Sequence, residues 1–149
     1  MNQTEFDALI NRLDGLHRSV INMVEGLTER QINYRPIETP NTIGILAHHI
    51  ADAERWLIGK HFGGQAVDHQ HDDAFRRTNT TPDEVLENLR DSFANSMRIL
   101  RNTDAAALSE PGVRFGDNQL TKHQTLIQAM VHLAHHRGYM AMLKRLCHG

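Results

Sequence analysis

A chain of 149 residues is the length of one domain and can bury roughly 68–70% of its extended surface in a single core. A formal charge of -2 with scattered basic residues provides no positive patch for a nucleic-acid backbone, and no apolar run approaches the ~20 residues needed to cross a membrane. The lone cysteine, Cys147, rules out an internal disulfide and fits a reducing compartment, so the cytoplasm is the expected setting.

The N-terminal stretch MNQTEFDALINRLDGLHRSV places Glu5, Asp7, Arg12 and Asp14 where a secretory signal would need an apolar core. Its period is helical instead. Phe6, Leu9, Ile10, Leu13, Leu16, Val20, Met23, Val24 and Leu27 mark one stripe and predict a helix over residues 4–27. A short turn is expected at Thr28-Glu29-Arg30-Gln31, which has capping-box spacing, closing near Pro36.

The second long helix is predicted to begin after Pro40 with Asn41 or Thr42 as cap and to stop at Gly63-Gly64, burying Ile43, Leu46, Ala47, Ile50, Ala53 and Leu57. The polar, aperiodic stretch GGQAVDHQHDDAFRRTNT reads as a long loop. Within it His69, His71, Asp72 and Asp73 form a polar cluster expected to be solvated. Thr81-Pro82-Asp83-Glu84 is a sharp helix start, with a threonine cap, proline at the first position and a glutamate three residues after the cap. The third helix follows on Val85 or Leu86, Leu89, Phe93, Met97 and Leu100, ending near Asn102. Pro111-Gly112 and Gly116-Asp117-Asn118 suit turns around a short extended piece, Val113 to Phe115. The fourth helix should open at Thr121, with Gln124 completing a capping box, and bury Leu126, Ile127, Met130, Val131, Ala134, Leu143 and Leu146. Four striped helices and no convincing sheet argue for an all-α four-helix bundle over residues 1–149, with long inter-helix connections.

Eleven histidines stand out, spread from His17 to His148. In VHLAHHRGYM, His132 and His136 are four apart, so on a helix their Cβ atoms lie about 5–6 Å from each other on one face. That spacing clips a metal, yet the glutamate of a His-Glu-x-x-His protease would fall on Leu133, so this is no such protease. The Glu-x-x-His pairs of a di-iron bundle are also missing, because no glutamate is followed by histidine three residues later. A third ligand is expected from the second helix. There His49 lies beside the apolar stripe, whereas His48 shares a side with Asp52 and Arg55 and is expected to face solvent; His48 is the alternative ligand. Three imidazoles around one cation leave positions open, as catalytic sites do. The competing expectation is that the histidines are ordinary core residues paired to carboxylates or backbone. It is strained by the absence of any Asp or Glu from Asn118 to Gly149. His17 and His123 read as surface or helix-end residues, and His61 is a possible addition to the site from the end of its helix.

TIGILAHHIADAE (42–54) and HLAHHRGYM (132–140) resemble the Ser/Thr-Ile-Gly-x-Leu-x-x-His-Leu/Ile-Ala-x-x-Glu and His-x-x-x-His-Arg-Gly-Gln segments of the DinB/YfiT superfamily, and LTERQINYRP (27–36) is similar to the stretch before its first ligand. The resemblance covers essentially the whole chain. It implies an up-down-down-up bundle, often a homodimer, with a divalent ion, commonly nickel or zinc, held by His49, His132 and His136. The activity it implies is a thiol-dependent S-transferase or isomerase acting on a small electrophile, with a low-molecular-weight thiol as cosubstrate. A non-catalytic metal-binding or small-ligand-binding stress-response protein and a metal-dependent hydrolase are the alternatives. Arg137 and Tyr139 are the candidate catalytic residues; Arg137 is expected either to orient an anionic substrate or to pair with a carboxylate on another helix. Tyr139 stands where the family pattern has Gln, and Gly138 is expected to allow close helix packing.

Overall fold

The structure is a computed structural model that describes residues 1–36, 41–68 and 79–148. In chain order the elements are α1 (Gln3–Val24), a one-turn α2 (Glu29–Ile32), α3 (Ile43–Glu54), a π-helical continuation (Arg55–Lys60), α4 (Pro82–Arg101), a 3-10 turn (Ala105–Ser109), strands β1 (Pro111–Phe115) and β2 (Asn118–Thr121), and α5 (Lys122–His148). The fold is mostly helical. Its four long helices make a ring of contacts, α3 against α4 and α5, and α1 against α4 and α5.

The boundaries follow local chemistry. Thr28, Thr81 and Thr121 each accept a hydrogen bond from the third following backbone N–H, while side-chain oxygens of Gln31, Glu84 and Gln124 accept one from the cap N–H, so all three expected boxes form. Thr42 caps α3 by accepting from the Ile45 N–H. Gly44 has a packing reason: a Cβ there would lie 2.5 Å from Thr80 Cγ2 and 3.2 Å from the Ile32 carbonyl oxygen. The first turn of α3 therefore sits against α2 and against Thr80, the residue before the α4 cap.

Two expectations about strands and helix faces need correction. A small sheet exists, because β1 pairs antiparallel with β2 across a two-residue Gly116-Asp117 turn whose glycine has φ +57°. Strands this short carry no readable period. The buried stripe of α5 is also rotated from the expected one: Leu126, Ala129, Leu133, Met140, Leu143 and Cys147 face the core, while Ile127, Val131 and Leu146 are exposed and Ala134 faces out with them. This helix is apolar on nearly every side, so periodicity alone cannot select its inner face.

The core runs through the ring of helices, with Phe6, Leu13, Ile50, Ile58, Leu89, Leu100, Leu133 and Met140 at 0–1% exposure. α3 is covered by α4 on one side and α5 on another, and it is buried on nearly its whole circumference. Both of its histidines are therefore inside. His17, expected at the surface, is also buried at 3% exposure, with its Nε2 2.5 Å from Glu54 Oε1. Its ring stacks on Phe93 at 3.8 Å between centroids, so one side chain of α1 ties α3 to α4. His69, His71, Asp72 and Asp73 lie outside the described residues. No described helix is long and apolar enough to cross a membrane.

Candidate metal centre

The second helix and the last one bring three imidazoles together. His49 projects from the middle of α3, at 6% exposure, and meets His132 and His136, four residues apart on α5. Ring centroids are separated by 4.7 Å for His49 and His132, 4.7 Å for His49 and His136, and 4.4 Å for His132 and His136. One ring nitrogen from each lies within 4.8 Å of the others, and the Nε2 atoms of His49 and His132 are 2.9 Å apart. Nitrogens bound at ~2.0–2.1 Å to a tetrahedral ion stand about 3.3 Å from one another, so this trio fits a divalent ion after a small adjustment.

The electrostatics agree with that donor set. Burial pushes the His136 imidazole below its ordinary pKa of 6.5, and the neighbouring His135 pushes it the same way. At neutral pH its lone pair is available. α5 contributes no acidic side chain to hold the rings as cations.

His48 is not on the solvated side. It is 2% exposed, and Asn88 Nδ2 donates to its Nδ1 at 2.8 Å while its Nε2 lies 2.9 Å from Thr80 Oγ1. Asn88 can only donate there, so Nε2 carries the proton and donates to Thr80, whose hydroxyl donates onward to Glu84 Oε2 at 3.0 Å. Both nitrogens of His48 are engaged toward α4. Adjacent residues on a helix point about 100° apart, which sends His48 to α4 and His49 to α5.

A cavity of about 350 Å³ opens beside the histidines, lined by His49, Ala53, Trp56, Leu57, Phe115, Gln128 and His132. Trp56 and Phe115 are 5.9 Å apart between centroids at 60°. The widened π-helical turn brings His61 edge-on to Trp56 at 4.8 Å, behind the cavity wall and outside the three-histidine cluster. Sequence reasoning did not find the cavity's outer wall, because Phe115 reaches it from the hairpin.

Arg137 and Tyr139 do not line this cavity. The Arg137 Nε donates to Ser19 Oγ on α1 at 2.5 Å, a hydroxyl where a carboxylate was expected. With Lys144, Arg137 borders a larger groove of about 550 Å³ between α1 and α5 that contains none of the three histidines. Size therefore does not mark the site. Tyr139 is 39% exposed on the outer side of α5. Gly138 is exposed too, and an added Cβ would meet nothing within 4 Å, so it permits no close packing among the described residues.

Residues 8–149 match the family described as mycothiol-S-transferase, a DinB-like family. Among solved structures, a DinB-like protein from Bacillus cereus superposes with a TM-score of 0.77 at 19% identity, covering 94% of this chain and 91% of that one. A conserved protein from Enterococcus faecalis gives 0.75 at 17% identity, covering 99% and 98%. At these identities the two show a shared fold. No curated protein matches the chain.

Proposed function

The chain belongs to the mycothiol-S-transferase family, and from that premise we propose that it is a divalent-metal-dependent S-transferase joining a low-molecular-weight thiol to a small electrophile. In the reaction a C–S bond forms at the electrophilic carbon as its leaving group departs with the bonding pair, and the thiol proton goes to solvent. The observation that carries this reading is three convergent ring nitrogens, one of them on a buried helix, beside a cavity open enough for a second reactant.

His49, His132 and His136 hold the ion, Ni²⁺ or Zn²⁺. A divalent cation there would lower the pKa of the thiol from about 8.5, so that the nucleophilic thiolate prevails at neutral pH. Trp56, Leu57 and Phe115 exclude water from one side of the histidines. Through Ser19, Arg137 fixes the rotation of α5 about its axis, which aims His132 and His136. This makes Arg137 a positioning residue. Tyr139 belongs to the outer face of α5 with Val131, Met142 and Leu146, exposed by 39%, 59%, 56% and 48%. An apolar helix face this open supports a homodimer in which a second copy covers it. The four long helices are read as an up-down-down-up bundle. A cytoplasmic setting is part of the same reading, supported by the buried, unpaired Cys147.

The test is metal analysis of the purified chain and of His132→Ala, with thiol transfer to a chloromethyl arene measured on both. One ion per chain and thiol-dependent chloride release in the parent, both lost in the variant, are the expected results. A full complement of metal without transfer to any thiol acceptor would return the protein to a binding role.

A further inference from the structure

Beside His49 and His132, the 350 Å³ cavity is lined by uncharged side chains, two of them the aromatic Trp56 and Phe115. Trp56 is half-buried at the start of the π-helical turn, two helical turns beyond His49 on the same side of its helix. Phe115 comes from the end of β1, just before the Gly116 turn, and keeps 42% of its surface exposed although it sits against the tryptophan. Phe115 at the hairpin tip and Trp56, the only tryptophan in the chain, thus present one continuous aromatic surface to the cavity. Among the described lining residues there is no Lys, Arg, Asp or Glu, and the polar groups besides the two imidazoles are the Trp56 indole N–H and the Gln128 amide, one turn before His132 on α5. The volume is near the lower end of the ~300–1,000 Å³ typical of small-ligand pockets.

We propose that Trp56 and Phe115, in edge contact with each other, form the aromatic wall of a slot in this cavity for an uncharged planar aromatic ring, which Gln128 orients through a polar substituent, and that this slot sets the acceptor class of the transfer. The inference rests on the transferase reading for its use, and on the slot's own chemistry for the ligand. Away from the three histidines, a carboxylate or phosphate on the ring would meet no cationic side chain among the described lining residues and would lose its hydration without return. A saturated ring of similar size would gain burial but would lack the edge and face contacts with the two aromatic side chains.

Because Trp56 is the single tryptophan, its indole N–H gives one resonance in a ¹H–¹⁵N spectrum of the full chain. Titration with 1,3-dinitrobenzene, which has no leaving group, should shift that resonance saturably. Cyclohexanone should bind at least about tenfold more weakly, and Phe115→Leu, which keeps apolar bulk but removes the ring, should weaken dinitrobenzene about two- to twelvefold. Phe115→Ala should weaken it at least as much, while neither variant changes the metal content. Equal affinity for dinitrobenzene and cyclohexanone, or no saturable indole shift, would overturn the slot. No thiol enters this titration, so ring binding without any transfer activity would support the slot and count against the transferase reading alone.

Discussion

The buried pair between His17 and Glu54 should be among the largest single contributors to the positioning of the metal centre. Their side chains are 3% and 4% exposed, the ring nitrogen and carboxylate oxygen are 2.5 Å apart, and His17 Nδ1 has no hydrogen-bond partner among the described residues. In His17→Ala, Glu54 is left as a buried carboxylate with its partner gone, which costs about 3–5 kcal/mol, and the imidazole stacked on Phe93 is replaced by a void. In Glu54→Ala, the buried His17 ring loses the partner of its Nε2, costing about 1–3 kcal/mol. For a chain of this length each kcal/mol lowers Tm by roughly 2–4 °C, so the first variant should melt about 6–20 °C lower and the second about 2–12 °C lower. The double variant should be less destabilised than the sum, because neither charge nor ring is then left without its partner. A thermal or urea double-mutant cycle checks this. Single-variant losses that add within about 0.5 kcal/mol would refute the reasoning, since they would mean that the two side chains are energetically independent. The pair also ties α3 to α1 five residues from His49, so metal affinity should fall in both single variants.

Removing the ion should destabilise the protein through mass action: at a free metal concentration a hundred times Kd, chelation should cost about 2.7 kcal/mol, and His132→Ala should show no chelator-dependent change in Tm. Gly44→Ala should lower Tm by an amount equivalent to about 1–3 kcal/mol, although alanine is the better helix former, because its Cβ would lie 2.5 Å from Thr80 Cγ2. Thr80→Ser, which removes that methyl and keeps the hydroxyl, should restore much of the loss; a raised Tm in Gly44→Ala alone would contradict the packing account. Asn88→Ala should cost about 1–3 kcal/mol by leaving His48 Nδ1 buried without its donor, with metal stoichiometry unchanged. A loss of bound metal in that variant would bring His48 back into the ligand set. Arg137→Lys should weaken metal binding more than it lowers Tm, since lysine cannot reproduce the guanidinium Nε bond to Ser19, and isothermal titration of the metal compares the two.

Local chemistry alone was enough to place the helix starts. Thr28, Thr81 and Thr121 and their partners three residues on satisfy backbone groups within a single turn, so nothing distant is needed to read them. The i, i+4 spacing likewise put His132 and His136 on one face, and the position of His49 beside the apolar stripe of α3 marked it as the third member of the cluster. Other features depended on what packs against what. His48 and His17 became buried because neighbouring helices cover the sides from which they project, and each found its partner on a different element, at Thr80 and Asn88 or at Glu54. The inner face of α5 could be chosen only by its neighbours, because its apolar residues surround the axis. The cavity wall required the hairpin to deliver Phe115 from 59 positions beyond Trp56, a contact with no signature in either segment. Interactions closed within one helical turn are written in consecutive residues, whereas burial and ring contacts between distant residues exist only once the helices have assembled.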